Sequence, residues 1–372
     1  MNNIDFKKYL AIHSPGYVIE IYKDNKSEEH IYGYKTITPN KEKVASNTLY
    51  DIASLTKVFT STLIYMAYEE GLIKLDNNIY NIDNSFINLK ETTILDLLSH
   101  NKNIWTDGYL GDAKNKEEFY KTLYSAYKKS DTPTYSDTDY IILSTILEKI
   151  YHKPFDIICQ EKIFNPLNMT NTTFNPDNKR CASNNYEYKN NTVIDNITPG
   201  LIHDTKARIA KELGINLGNA SIFTTGSDLL TFLKTFLDCS LLKKDTIEYM
   251  LKHRNTNEEN YKFLKELHHE TNINIMYDKL LNDNYPDLPK TYNFMGVRYR
   301  NIIDKINDVP NNASDNSISF SGYTGPMFTI DFDKNIIVII MCNVIHNSHL
   351  SRYVRKELTT EIMNKIFDNI TL

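Results

Sequence analysis

Strand-forming stretches stand at the two ends of this chain and helical stretches between them, so a single sheet has to draw on both termini. Near the start, Tyr17-Val18-Ile19-Glu20-Ile21-Tyr22 is rich in β-branched and aromatic residues. The polar turn 23–27 follows, and 30–34 reads as a second, short strand. Near the end, 318–323, 327–332 and 336–342 read as strands, the last two forming a hairpin at Asp333-Lys334-Asn335. A helix is expected over 54–70, where Val58, Leu63, Ile64, Met66 and Ala67 fall roughly at helical spacing and Gly71 suits the C′ position. Further helices are expected over 93–99, 117–128, 138–151, 226–238 and 348–367, and the Asn-rich segment 175–191 reads as an exposed loop. The expected fold class is α/β (α+β): an antiparallel β-sheet flanked by helices from both termini, with an inserted, mostly helical domain. The boundaries expected are 1–75 with 210–372 for the sheet domain and 76–209 for the helical one. A cleft between them is where a ligand site is expected.

Composition narrows the function. The 372 residues carry 42 Lys and Arg against 47 Asp and Glu, a formal charge of −5, which disfavours a binder of nucleic-acid backbone. With 41% hydrophobic and 24% charged residues the chain is composed like a globular protein rather than a disordered one. Its length suits two domains or one composite unit. Cys159, Cys181, Cys239 and Cys342 show no short spacing and read as reduced. The first residues, Met1-Asn2-Asn3-Ile4-Asp5-Phe6-Lys7-Lys8, hold no apolar signal core. The longest apolar run, 336–342, is far short of the ~20 residues of a membrane span. The expected protein is soluble, cytoplasmic as written or extracellular if a leader has been removed, and a monomer or weak homo-oligomer.

Ser54-Leu55-Thr56-Lys57 opens the first long helix. Residues at i and i+3 share a helix face, so Ser54 Oγ and Lys57 Nζ can meet. A serine hydroxyl needs a base to become a nucleophile. Burial among Ile52, Ala53, Val58 and Phe59 would disfavour the ammonium and make Lys57 that base. The pattern alone is weak: Ser-x-x-Lys also starts at Ser99, Ser125 and Ser240, and an N-cap serine beside a solvated lysine looks the same. Only the Ser54 match follows a strand-like stretch and starts an apolar helix. Tyr135-Ser136-Asp137 precedes the next helix. Ser136 or Asp137 would cap it, worth about 1 kcal/mol, and Tyr135 would then project toward Lys57 as a proton relay. Phe320-Ser321-Gly322-Tyr323-Thr324-Gly325 links two strands. It is either an ordinary bulge or a close approach that lets the Tyr323 and Ser54 N–H groups form an oxyanion hole.

Together these segments resemble the serine β-lactamase and penicillin-binding-protein superfamily, in its class C-like esterase and peptidase branch. The likeness runs in order through Tyr50-Asp51-Ile52-Ala53-Ser54-Leu55-Thr56-Lys57 and Glu70-Gly71-Leu72-Ile73-Lys74-Leu75-Asp76. It continues through Leu97-Leu98-Ser99-His100, Tyr135-Ser136-Asp137, Gly200-Leu201-Ile202-His203-Asp204, Gly218-Asn219-Ala220-Ser221-Ile222-Phe223-Thr224-Thr225 and the Gly322 hairpin as far as Ile330-Asp331. The resemblance implies an acylated Ser54, Lys57 as base, Tyr135 as second proton carrier, and Ser54 and Tyr323 N–H as oxyanion donors, with no metal or organic cofactor. It also makes Phe320, Ser321, Gly322 and Asp137 candidate substrate-binding residues. Two departures stand out. Phe320 occupies the position where the family carries a cation, and Asp137 stands where it carries Asn. Both disfavour an anionic ligand, so an ester, amide or D-amino-acid peptide is the first expectation for the substrate. β-Lactamase or DD-carboxypeptidase activity comes second, and a penicillin-binding-like sensor without turnover third.

Other constellations are weaker. His346 with His349, or His268-His269, lack the carboxylate or Cys spacing of a zinc site. His203-Asp204 could complete a triad with Ser54, although a structural His is the plainer reading. Arg352, Arg355 and Lys356 read as a solvated helix face, and the aromatic residues, Trp105 and Tyr109 included, as mostly core.

Overall fold

The computed structural model describes residues 4–131, 134–184, 187–189, 192–194, 199–252, 298–299, 309–314, 316–346 and 352–371. Among these, one sheet runs in the order Arg298–Tyr299, Ser317–Ser321, Met327–Asp331, Ile336–Cys342, Gly16–Lys23, Lys26–Thr36, Glu42–Lys43. Every neighbouring pair is antiparallel. The two ends of the chain meet where Gly16–Lys23 pairs with Ile336–Cys342, from Tyr17 opposite Cys342 to Tyr22 opposite Ile337. Fold class and strand positions therefore agree with the sequence.

These two central strands are buried on both faces, which requires cover on both sides. Tyr17, Ile19, Ile21, Val338 and Ile340 pack with Phe6 and Tyr9 of helix Phe6–Ile12 and with Ile362, Met363, Ile366 and Phe367 of helix Arg352–Thr371. Val18, Tyr22, Ile337, Ile339 and Met341 face the larger cluster, which includes Leu229, Phe232 and Phe236 of helix Gly226–Asp238. Each such side chain taken from water contributes about 1.5–3 kcal/mol. The period-two alternation thus divides one apolar run between two cores.

Several boundaries differ from expectation. The second strand extends over Lys26–Thr36 because it pairs with its neighbour from Gly16 opposite Gly33 to Lys23 opposite Lys26. A tight turn at Asp24-Asn25, both at positive φ, joins them. Exposed polar side chains disguised this edge-side strand. The helix expected over 117–128 is Lys116–Tyr124; it stops at Ser125, and Tyr127–Ser130 pairs instead with Asn103–Trp105. The segment 175–191 is not simply an exposed loop. Asn178–Arg180 forms a 3₁₀ turn, Cys181 to Asn184 are buried, and Glu187–Lys189 pairs with Thr192–Ile194. Backbone bonds dock this segment: Ala182 N donates to Leu49 O at 2.8 Å and Ser183 N to Lys35 O at 2.9 Å. Trp105 and Tyr109 are each 49% exposed rather than core, and all four cysteines are free thiols. The C-terminal helix is described from Arg352, so the start expected at 348 lies outside the described residues. Among the described residues no helix is long and apolar enough to cross a membrane.

Candidate active site

The turn that carries Ser54 begins at Asp51. Its buried carboxylate accepts Ala53 N at 2.8 Å through Oδ1, and His203 N at 2.9 Å and Asn184 Nδ2 at 3.1 Å through Oδ2. Burial lifts this carboxyl to about 6, with the His203 and Ala53 N–H groups pulling the other way. Ala53 sits at φ +45°, a conformation that costs a side-chain-bearing residue roughly 1–2 kcal/mol and needs such bonds to hold it. Ala53–Leu55 then forms a 3₁₀ turn that runs into helix Thr56–Glu69. This helix is buried on nearly every side, and its hydroxyls have partners. Thr60 Oγ1 donates to Gly218 O at 2.8 Å, and Thr56 Oγ1 accepts Ser221 N at 3.2 Å. A Cβ at Gly218 would lie 2.6 Å from Thr60 Oγ1, so only glycine permits that approach.

Ser54 Oγ receives two hydrogen bonds, from Lys57 Nζ at 3.2 Å and from the Tyr135 hydroxyl at 2.9 Å. Lys57 Nζ also donates to Asp137 Oδ1 at 2.7 Å and to Asn219 O at 3.2 Å. Three acceptors meet three N–H bonds, which is the complement of an ammonium. Burial pulls the Lys57 pKa down, but the Asp137 carboxylate and Tyr135 outweigh it and hold it above the usual lysine range. The expectation that an apolar wall neutralises Lys57 is therefore overturned, because the wall contains Asp137. For Asp137 burial works upward, and Lys57 with Lys206 overcomes it, leaving the carboxyl well below the usual range.

Ser136, not Asp137, caps helix Asp137–Tyr151, accepting Thr138 N at 3.1 Å. That frees the Asp137 side chain to turn toward Lys57. Tyr135 rests on the His100 ring, centroids 4.6 Å apart, and the Lys57 ammonium lies 4.9 Å from its own centroid. His100 is in turn held by Asp139 at 2.6 Å, both fully buried.

The strand side of the site is shaped by backbone. A Cβ at Gly322 would lie 2.5 Å from Ile52 O, so the hairpin end presses directly on the turn that carries Ser54. Gly322 N donates to Pro326 O at 2.7 Å, and Thr324 Oγ1 donates to Asp51 O at 2.7 Å. Tyr323 stands on this tip, 43% exposed, its ring stacked on His203 at 5.0 Å. The Arg355 guanidinium lies 5.5 Å from the same ring, so Arg355 packs against Tyr323 instead of lying on a purely solvated face. Phe320 is 4% exposed and joins the core, because strand alternation turns it inward while Ser321 stays half-buried. It is a packing residue, which corrects its place among the substrate-binding candidates.

The sequence thus brought Ser54, Lys57, Tyr135 and Asp137 to one point, with Gly322 and Tyr323 beside it. It missed Lys206, whose Nζ lies 3.0 Å from Asp137 Oδ2, as well as Asp51 and Asn219. Asn219 acts through its carbonyl, which leaves no trace in residue type. The other Ser-x-x-Lys serines are spent locally: Ser99 Oγ on Leu95 O at 2.7 Å and Ser125 Oγ on Thr122 O at 2.6 Å, while Ser240 ends a turn at Asp238. The His346 ring accepts Ile37 N at 3.0 Å. His268, His269 and His349 lie outside the described residues. Among the described residues no three His, Cys, Asp or Glu side chains are placed to hold a metal ion.

The Beta-lactamase family model matches residues 5–359, so the chain belongs to the β-lactamase family. A "Putative D-alanyl-D-alanine carboxypeptidase" of Escherichia coli O157:H7 is 28% identical over 279 residues, 63% of this chain and 64% of the relative; the match thus spans less than two thirds of that relative's length. Among solved structures, simvastatin synthase (LovD) of Aspergillus terreus superposes with a TM-score of 0.72 at 16% identity, covering 98% of this chain and 96% of that one. A class C β-lactamase of Rhodobacter sphaeroides superposes at 0.65 and 15% identity, covering 97% and 98%. At such identities these structures establish the shared fold.

Proposed function

We propose that this protein is a serine hydrolase that works through an acyl-enzyme at Ser54 on an ester, an amide or a D-amino-acid peptide. The observation that carries the reading is the contact of Ser54 Oγ with Tyr135 at 2.9 Å and Lys57 at 3.2 Å. In the reacting form Tyr135 has given up its own proton, and its phenolate, beside the Lys57 ammonium, takes the Ser54 proton as Oγ bonds to the carbonyl carbon and the carbonyl π pair moves onto oxygen. The Lys57 ammonium, full of protons in this arrangement, stabilises negative charge developing on both oxygens. The Ser54 and Tyr323 N–H groups are assigned to the carbonyl oxygen, each such donor typically worth ~10²–10³ in rate. The leaving alcohol or amine takes the proton from Tyr135 as the C–O or C–N bond breaks. Water then attacks the acyl carbon, returns a proton through Tyr135 to Ser54, and releases the acid.

Substrate choice follows from charge. Lys57 and Lys206 are both spent on Asp137, and the strand position of Phe320 supplies no cation to meet an anionic group, so a neutral ester or amide fits best. A carboxypeptidase reading, the activity in the E. coli relative's name, draws on Arg355, which sets a cation 5.5 Å from the Tyr323 ring. Hydrolysis of a short-chain p-nitrophenyl ester, a nitrocefin-type lactam and a D-Ala-D-Ala peptide, each beside Ser54→Ala, separates these activities. Ester turnover that depends on Ser54 is expected. Labelling of Ser54 without release would instead assign a sensor, and equal labelling of Ser54→Ala would refute the acyl-enzyme.

A further inference from the structure

We propose that Lys206 is a positioning residue for acyl transfer, which offsets the charge Asp137 brings beside Lys57 and holds that carboxylate in place. The inference rests on the serine-hydrolase reading above. Asp137 is shared between two ammonium groups, Lys57 on Oδ1 at 2.7 Å and Lys206 on Oδ2 at 3.0 Å. Lys206 is itself anchored, because its Nζ also lies 3.0 Å from Asp204 Oδ2. Asp204 Oδ1 accepts Ala207 N at 2.8 Å and caps helix Thr205–Glu212, so the lysine stem is fixed at the start of that helix. The Lys206 side chain is 18% exposed, and its Nζ lies 5.8 Å from the Tyr109 ring centroid.

The four charges sum to zero: Lys57 and Lys206 against Asp137 and Asp204. Without Lys206 the cluster carries one net negative charge, centred beside the reacting oxygens. That charge would oppose the negative charge on Tyr135 and Ser54 that the reaction requires. It would also leave Asp137 Oδ2 without its partner, and the carboxylate could swing Lys57 off Ser54. An amide at position 137 is isosteric and neutral. It would remove the need for the second lysine, so the effects of the two residues must be coupled.

The other charged or titratable groups facing this cluster are Tyr135, just before helix Asp137–Tyr151, and Asp139 and Tyr140 in its first turn, the Tyr140 ring centroid 5.8 Å from Lys57 Nζ, with His100 against Asp139. Asp51 and His203 lie behind Asp204, and Tyr109 lies on the outer side. All remain in place in the test variants, so a change assigns to Lys206. The experiment measures kcat, KM and the pH profile of kcat/KM on a neutral p-nitrophenyl ester for Lys206→Gln, Lys206→Arg, Asp137→Asn and the double variant. Lys206→Gln is expected to lower kcat on the order of tenfold with little change in KM. The acid limb of the profile should move up by about one pH unit. Lys206→Arg should restore both, and in the Asp137→Asn background losing Lys206 should cost less than about threefold. An unchanged limb and kcat in Lys206→Gln, or an equal cost of that change in both backgrounds, overturns the inference while the hydrolase reading stands. A wild-type chain that neither turns over ester nor labels at Ser54 overturns both.

Discussion

The two sides of the site are held by different physics. On the helix side, Lys57 is 1% exposed and spends every N–H on Ser54, Asp137 and Asn219, so position follows from charge and hydrogen bonding. On the strand side, Gly322 fits against Ile52 O where no side chain could, and Tyr323 stands 43% exposed between His203 and Arg355. There position follows from backbone shape, and the groups facing a substrate are free of buried charge. The contrast teaches that chemistry and substrate choice are separable here. A change on the helix side should reach every substrate alike, whereas a change at Tyr323 or Arg355 should sort them.

Five measurements break or sharpen this contrast. Ser54→Ala should lower kcat for any substrate by about 10⁴ or more with the fold retained; residual turnover near wild type would remove the helix side from the chemistry. Tyr135→Phe keeps the ring on His100 and deletes the hydroxyl, and should cost ~10²–10⁴ in kcat. Steady-state kinetics on two unrelated esters should show the same loss for both. Asp137→Ala leaves the Lys57 ammonium buried without its carboxylate and should destabilise the fold by about 3–5 kcal/mol in urea unfolding. Gly322→Ala, the strand-side counterpart, forces a Cβ onto Ile52 O and should cost about 1–3 kcal/mol. It should lower kcat as well, since the turn that carries Ser54 must shift; activity unchanged in that variant would separate the hairpin from the site.

The smallest effect lies in the sheet, away from both sides. Glu20 is 3% exposed, and burial, reinforced by Glu29 across the strand pair, raises its carboxyl to about 8. The folded chain thus holds a proton that the unfolded chain loses near 4.5. Its contribution is full below pH 4.5 and falls away as pH rises through 8. Tm should decline between pH 5 and 9 more steeply in wild type than in Glu20→Gln, while the acid limb of kcat/KM stays the same in both. Parallel Tm profiles would show that Glu20 titrates normally.

Much of this was legible in order along the chain. The central strands follow from period-two apolar patterning at both ends, and Ser54 and Lys57 meet because they are three residues apart on one helical turn. Tyr135 was legible from its place before a capped helix. The strand pairing of Tyr127–Ser130 was not, since a polar segment after a helix carries no local sign of its partner. Nor was the burial of Phe320, whose direction depends on which face of the sheet meets the larger core.

By itself the sequence determined the pairing of Ser54 with Lys57 and the ends of the sheet, because both depend on residues close together or on a repeating pattern. Only the tertiary structure decided the meeting of Lys57 with Asp137, the sharing of Asp137 with Lys206 and the fit of Gly322 on the turn that carries Ser54. Those depend on groups that are distant in the chain, and electrostatic energy is set by separation in space and by exclusion of water, neither of which is written in residue order.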